Sequence, residues 1–329
     1  MTREARGAPG WGRRLRRILL SQEGVLFLFL GVVVVVLAGR SDAFFTTRNL
    51  LNQGRLMSEV GLVALPMTFI IITAGIDLSV GSILGLCAVL LGVLWQVVGV
   101  PLAGVLLLVL LVGVLAGLFN ALFIVRVGVP PLIMTLATLA LYRGLAQGIS
   151  QARSVTGYPE WFFFFGQGNV AGLPTQLWAF ILMAVVSAVV LRTTTLGRAL
   201  YAQGNNPVGA RFSGLPVGRN LFVIYGFSGL MAAIAAIIFV SRVTTTRSDM
   251  GTGLELDAIA AVVLGGTSIF GGKGSILGTV IGLVLIQLLK NGLALTGVTS
   301  DATIIVIGSM LILAILVNNL VQGRRGGTM

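Results

Sequence analysis

The chain of 329 residues contains no histidine and a single cysteine, Cys87. The commonest general base and metal ligand is therefore missing. A lone thiol in an apolar stretch makes neither an internal disulfide nor a cysteine metal site. Charge is also scarce: 10% of residues are charged, against roughly 25% in soluble domains, and only 10 of them are acids. With no Ser–His pair, no paired intramembrane carboxylates and no metal constellation, the residues give catalysis no support. No cofactor is implied.

What fills the chain instead is apolar: 56% of it is hydrophobic. Runs of about 15–25 apolar residues recur from end to end, the length that crosses a roughly 30 Å hydrocarbon layer. A closed barrel is excluded, because its strands would alternate apolar and polar residues. The reading is an all-α membrane protein with about ten spans, at approximately 24–39, 56–74, 79–99, 101–125, 130–150, 177–191, 220–240, 255–270, 275–296 and 303–320. The eighth carries Glu255 and Asp257 at its start and is the candidate for a re-entrant segment. Residues 1–23 form a basic N-terminus, 24–320 the membrane domain and 321–329 a short tail. The first span resembles a signal peptide, but LAGR lacks a small-x-small cleavage pattern, so an uncleaved span is expected.

The net charge of +12 raises nucleic acid as a partner, and its distribution argues against it. With the N-terminus inside, the arginines of residues 1–23 fall on the cytoplasmic side. Arg126, Arg192, Arg198, Arg211, Arg219, Lys273, Arg324 and Arg325 fall there too. That is the positive-inside bias of a multi-pass inner-membrane protein with both termini cytoplasmic. Arg40, Arg48 and Arg55 fit it poorly, since they lie in the first outer loop. The longest outer loop, about 151–176, is too short to fold alone, and its Tyr158 and Trp161 suit the membrane–water interface.

One hydrophilic loop, 192–219, carries four arginines and no acid. It contains a short helix with its own boundary signals. Asn206 is a good N-cap, Pro207 suits the first helical position, and Gly214 can take the left-handed turn that ends it. Val208 and Phe212, four residues apart, share one face. A helix of barely two turns is not stable alone in water, so it needs the membrane domain below, a partner above, or both.

Two glycine-rich breaks interrupt the apolar pattern. In TAGIDLSVGS, Gly75 ends one helix, while Asp77 and Ser79 begin the next. A carboxylate there is costly unless hydrogen-bonded, so Asp77 either caps the third span or helps line a translocation path. Asp77 and Asp257 are both placed near span ends, which argues against a proton- or sodium-coupled carrier. The second break, GGTSIFGGKGS, is not a phosphate loop, because Lys273 is followed by Gly274 and no strand precedes it. GSILG occurs at both Gly81–Gly85 and Gly274–Gly278, suggesting an internal duplication in parallel of spans two to five and seven to ten. Asn120, Gln287 and Asn291 read as interhelical glue or solute contacts. Arg143 and Lys290 are expected to snorkel to an interface.

At these residues the chain resembles the permease subunits of bacterial ATP-binding-cassette importers for ribose, xylose, arabinose, galactose and related sugars. The resemblance rests on ITAGIDLSVGS, PPLIMTLATL, GRALYAQGNNPVGARFSGL and GLELDAIAAVVLGGTSIFGGKGSILGTVIG. EVGLVALPM, GLCAVLLGVLWQ and RSDMG look most like the rhamnose and autoinducer-2 permeases. The resemblance implies a second permease subunit (identical or homologous), a periplasmic sugar-binding protein and cytoplasmic ATPase subunits as partners. It places ATPase coupling on Gly197, Arg198, Gly204, Asn205, Asn206, Pro207, Val208, Ala210, Arg211, Phe212 and Gly214. The expected translocation path takes Gly75, Asp77, Ser79, Asn120, Gln287 and Asn291. Rival readings are a permease for branched-chain amino acids or nucleosides and an ion-coupled secondary carrier.

Overall fold

The computed structural model describes residues 42–151, 153–299 and 301–309, with positions 30, 31, 34, 35, 39 and 312. The expected basic start and tail lie outside the described residues, as do most of the first span and the second half of the tenth.

Seven described helices are long and apolar enough to cross a membrane. In chain order they are α1 (Thr47–Ile72), α2 (Val80–Val97), α3 (Leu102–Val127), α4 (Pro131–Ser150), α5 (Thr175–Thr193), α8 (Val217–Val243) and α10 (Ile276–Leu295). Between them lie the shorter α6 (Thr195–Asn205), α7 (Pro207–Phe212) and α9 (Leu254–Leu264). A two-residue-per-strand ribbon, Asn169–Val170 against Leu173–Pro174, closes the long loop before α5.

α1 starts nine residues before its expected boundary. Thr46 caps it by accepting from the amide of Asn49, and its polar first turns are satisfied across the bundle. Asn49 and Asn291 exchange two hydrogen bonds, at 2.8 and 3.0 Å, and Gln287 Nε2 donates to Gln53 Oε1 at 2.7 Å. Hydropathy undercounts such a turn because it cannot see the partner helix. The eighth expected span is cut short instead. α9 has 11 residues, about 16 Å at 1.5 Å per residue, roughly half the hydrocarbon thickness. It is too short to cross the layer by itself, and the turn that follows it returns the chain to the face carrying α6, at Tyr201.

The helices pack through their smallest residues. Gly113 and Gly229 lie against each other's carbonyls, and Gly117 lies against the carbonyl of Tyr225, so α3 and α8 meet backbone to backbone. Gly265 and Gly278 do the same for α9 and α10. Lipid is as apolar as leucine, so helix association there comes from close contact rather than from water exclusion, and glycine permits the closest. The outward faces of α3, α4 and α5 remain apolar, with Leu111, Leu136 and Val185 exposed.

The first helices of the two expected repeats, α1 and α8, do not run parallel. α1 ends, and α8 begins, at the face carrying α6 and α7, so these two helices run in opposite directions. Each ends in a left-handed residue, Ala74 (φ 61) and Thr244 (φ 60). Each is followed by an irregular segment, 73–79 or 244–253, and then a new helix. The resemblance between the two segments goes no further than this order of elements. The two GSILG copies occupy unlike places: Gly81–Gly85 lies within α2, whereas Gly274 and Ser275 precede α10. The shared string reflects two glycine-packed helix starts.

Candidate functional site

The 192–219 loop folds into two helices at an elbow. Thr194 caps α6 by accepting from Gly197 N, and Gly197 itself packs on the carbonyl of Leu191. Asn206 then caps α7, its Oδ1 accepting from Gly209 N at 2.8 Å, with Pro207 at the first position. Gly214 supplies the left-handed turn, at φ 78. Ala210 is buried beneath α7, while Val208 is 63% and Phe212 89% exposed. Arg211, next to Phe212, is exposed, as is Arg198 on the first turn of α6. The sequence signals for α7 hold. The eleven-residue α6 went unrecognised, although Thr194 marks its start.

The elbow is fastened to both breaks. Gly204 sits directly on the carbonyl of Ile72, the last residue of α1. Gly272 N donates to that carbonyl at 2.9 Å, and Asn205 lies beside Gly272 while its own Nδ2 donates to Tyr201 O at 2.9 Å. Tyr201 Oη donates to Gly274 O at 2.7 Å. Burial raises the phenol pKa of Tyr201, with Arg192 pulling the other way, so it remains a neutral donor. One glycine-rich turn and the end of α1 therefore share a joint with the α6–α7 elbow.

Gly75, Asp77, Ser79 and Asn120 do come together, in a closed cluster. Asp77 Oδ1 accepts from Ser79 Oγ (2.6 Å) and Ser79 N (3.0 Å), and Oδ2 accepts from Ser228 Oγ at 2.9 Å. Asn120 Nδ2 donates to Ser79 Oγ at 2.8 Å, and Gly75 abuts the ring hydroxyl of Tyr225. Ser228 is near the middle of the 27-residue α8, so Asp77 is deep in the bundle and not near a span end. Asp77 does not cap α2, whose N-cap is Ser79 and which has no side-chain cap bond; its carboxylate instead ties the broken segment to Ser79 and to α8. All four residues are buried. Gln287 and Asn291 lie apart from them, in the amide ladder between α10 and α1.

A cavity of about 500 Å³ opens between α1, α8, α9 and α10. Glu59, Asp257, Lys290, Gln287 and Phe239 line it, with Arg247 and Asp249 among the residues from the 244–253 break. Of the six expected path residues only Gln287 reaches it. Lys290 Nζ meets Asp257 Oδ2 at 2.6 Å, so it is paired rather than snorkelling. Glu59, buried in α1, takes two bonds from Arg242, at 2.6 and 3.0 Å, and Arg242 also stands 5.0 Å above the Phe239 ring. Arg143 does not snorkel either. Its guanidinium holds the break, donating to Ser248 O (2.7 Å), Met250 O (2.8 Å) and Gly81 O (3.4 Å). The missed signal was a glutamate inside an apolar run, since an intramembrane charge implies an opposite partner on another helix.

The sequence that builds this bundle is similar to those of known proteins. The family described as branched-chain amino acid transport system / permease component matches residues 49–315. The chain belongs to this permease family. It is 41% identical over 263 residues to the autoinducer 2 import system permease protein LsrD of Photorhabdus laumondii, covering 78% of this chain and 79% of that protein. The LsrD protein of Escherichia coli strain K12 is 42% identical over the same length, with the same coverage. The chain is thus a multi-pass permease subunit.

Proposed function

We propose that this chain is the membrane-spanning subunit of an ATP-driven importer for a small sugar-like solute, with autoinducer 2 and L-rhamnose the leading candidates. The observation that carries the ATP-driven part is Phe212. A large apolar side chain at the exposed end of a capped two-turn helix has no partner among the described residues. The helix stands on an elbow that touches both breaks. A cytoplasmic ATPase subunit supplies the missing partner, and the α6–α7 face is then the cytoplasmic one. A second permease subunit and a periplasmic binding protein complete the importer.

Coupling then needs differential affinity. A ligand moves a two-state protein only by the difference in its binding to the two states. Moving an equilibrium from about 1:99 to 99:1 takes about 5.5 kcal/mol. ATP-bound ATPase subunits deliver that difference through α7, and the joint at Ile72 and Gly272 carries it to the helix ends. The solute is neutral and polyhydroxylated, so its route needs hydrogen-bonding groups in place of net charge.

Reconstituted vesicles test the proposal. Uptake of autoinducer 2 or L-rhamnose should require the cognate ATPase, binding protein and ATP. Uptake by the permease alone, driven by a proton or sodium gradient, contradicts it. The family's description names branched-chain amino acids, and that second reading predicts that leucine and not sugars competes for uptake.

A further inference from the structure

We propose that the cavity between α1, α8, α9 and α10 is itself a binding site for an uncharged, polyhydroxylated solute, held by Asp257, Lys290 and Gln287 opposite the ring of Phe239. The proposal rests on the importer reading and adds where in a single subunit the solute dwells. Its volume, about 500 Å³, falls in the roughly 300–1,000 Å³ range of small-molecule pockets. The polar groups are unusual for a bundle interior, and their arrangement selects the class of ligand.

Each charge around the cavity is matched. Asp257 pairs with Lys290, Arg247 with Asp249, and Glu59 with Arg242. A carboxylate can accept about four hydrogen bonds and an ammonium can donate three. One bond between them leaves both with spare capacity a few ångströms apart. A hydroxyl, which donates and accepts at once, satisfies both partners without separating them. An apolar solute would strand those groups, and a sugar acid would bring a negative charge that no unmatched cation lining the cavity offsets. Gln287 Nε2 is committed to Gln53, leaving its carbonyl oxygen as a further acceptor. Phe239 offers an apolar face, with Arg242 stacked on its ring.

Access and position fit the same assignment. The Arg247–Asp249 pair is well exposed, at 63% for each side chain, so the cavity opens at the 244–253 break. That break is fastened by Arg143 to the start of α2. A solute seated here therefore touches α9 and the irregular segment before it, the least regular parts of the bundle.

The test uses the full-length permease in lipid nanodiscs, with saturation-transfer NMR and equilibrium titration. The neutral probes are L-rhamnose, D-ribose and autoinducer 2; the anionic probes are L-rhamnonate and D-ribonate. The wild type should bind at least one neutral probe and neither acid. Lys290→Gln should weaken the neutral probe by about ten-fold or more. Asp257→Asn, which leaves Lys290 unpaired, should gain measurable affinity for the acids, a result that misfolding cannot produce. Failure of the wild type to bind any neutral probe, equal binding of sugars and acids, or unchanged selectivity in Asp257→Asn would overturn the proposal. Phe212→Asp keeps the two claims apart: it should retain solute binding while losing ATP-driven uptake. If the complete importer transports but the isolated permease binds none of the probes, the site falls and the importer reading stands.

Discussion

Gly204 packs on the main-chain carbonyl of Ile72 so closely that a β-carbon at position 204 would overlap it. The contact joins the α6–α7 elbow to the end of α1 with no side chain between them. In the proposed importer this contact is the route by which motion of α7 reaches a membrane helix. Gly204→Val should force the two apart at a cost of about 1–3 kcal/mol, the usual scale for overpacking. The protein should still insert, but solute-stimulated ATP hydrolysis in the reconstituted importer should drop several-fold. Wild-type stimulation with valine at 204 would show that this joint transmits nothing.

Asp77 links three elements, and its neighbours depend on it. In Asp77→Ala the hydroxyls of Ser79 and Ser228 and the Ser79 amide lose their acceptor. Each stranded buried group costs about 1–3 kcal/mol. Asp77→Asn keeps one acceptor oxygen and should be milder. Thermal unfolding of the detergent-solubilised protein should rank wild type, Asn, then Ala. If alanine melts with the wild type, the cluster is not what holds the break in place.

Glu59 and Arg242 tie α1 to the outer part of α8 through two bonds. Removing one partner of a buried pair leaves an uncompensated charge, typically costing about 3–5 kcal/mol. Because the Arg242 side chain is 23% exposed, the lower end of that range applies to Glu59→Gln. Glu59→Leu with Arg242→Met should recover most of the lost stability, since the bundle then carries no orphaned charge. A double variant less stable than either single one would contradict a pairwise role.

Arg143 is expected to matter for the 244–253 break in the same way. Arg143→Leu deprives the carbonyls of Ser248, Met250 and Gly81 of their donor, so hydrogen exchange at 247–253 should rise while α3 and α8 stay protected. Lysine at 143, with a single point charge, should restore only part of that protection.

How much of this was readable beforehand depends on whether a feature is local. The cap at Asn206, the proline at 207 and the turn at Gly214 are set by neighbours within a few residues, and all three stand where the pattern puts them. Most span positions follow from apolar run length for the same reason. The start of α1 was misplaced because Asn49 and Gln53 are satisfied by Asn291 and Gln287, more than 230 residues away. Arg143 and Lys290 were misread as snorkelling because their partners are backbone carbonyls and an aspartate on other segments. The opposite directions of α1 and α8 were hidden because a repeated pentapeptide reports how a helix starts, not which way it runs. The cavity could not be seen at all, since it is a space between four helices with no motif of its own.

The measurement that bears most directly on the account is ATP hydrolysis by the reconstituted importer carrying Phe212→Asp. The substitution puts a charge on an exposed position that touches nothing in its own chain's core, so insertion and thermal stability should match the wild type. Stimulated hydrolysis and solute uptake should both fall to background. Uptake at the wild-type rate with a charge at 212 would mean that α7 is not where the ATPase takes hold.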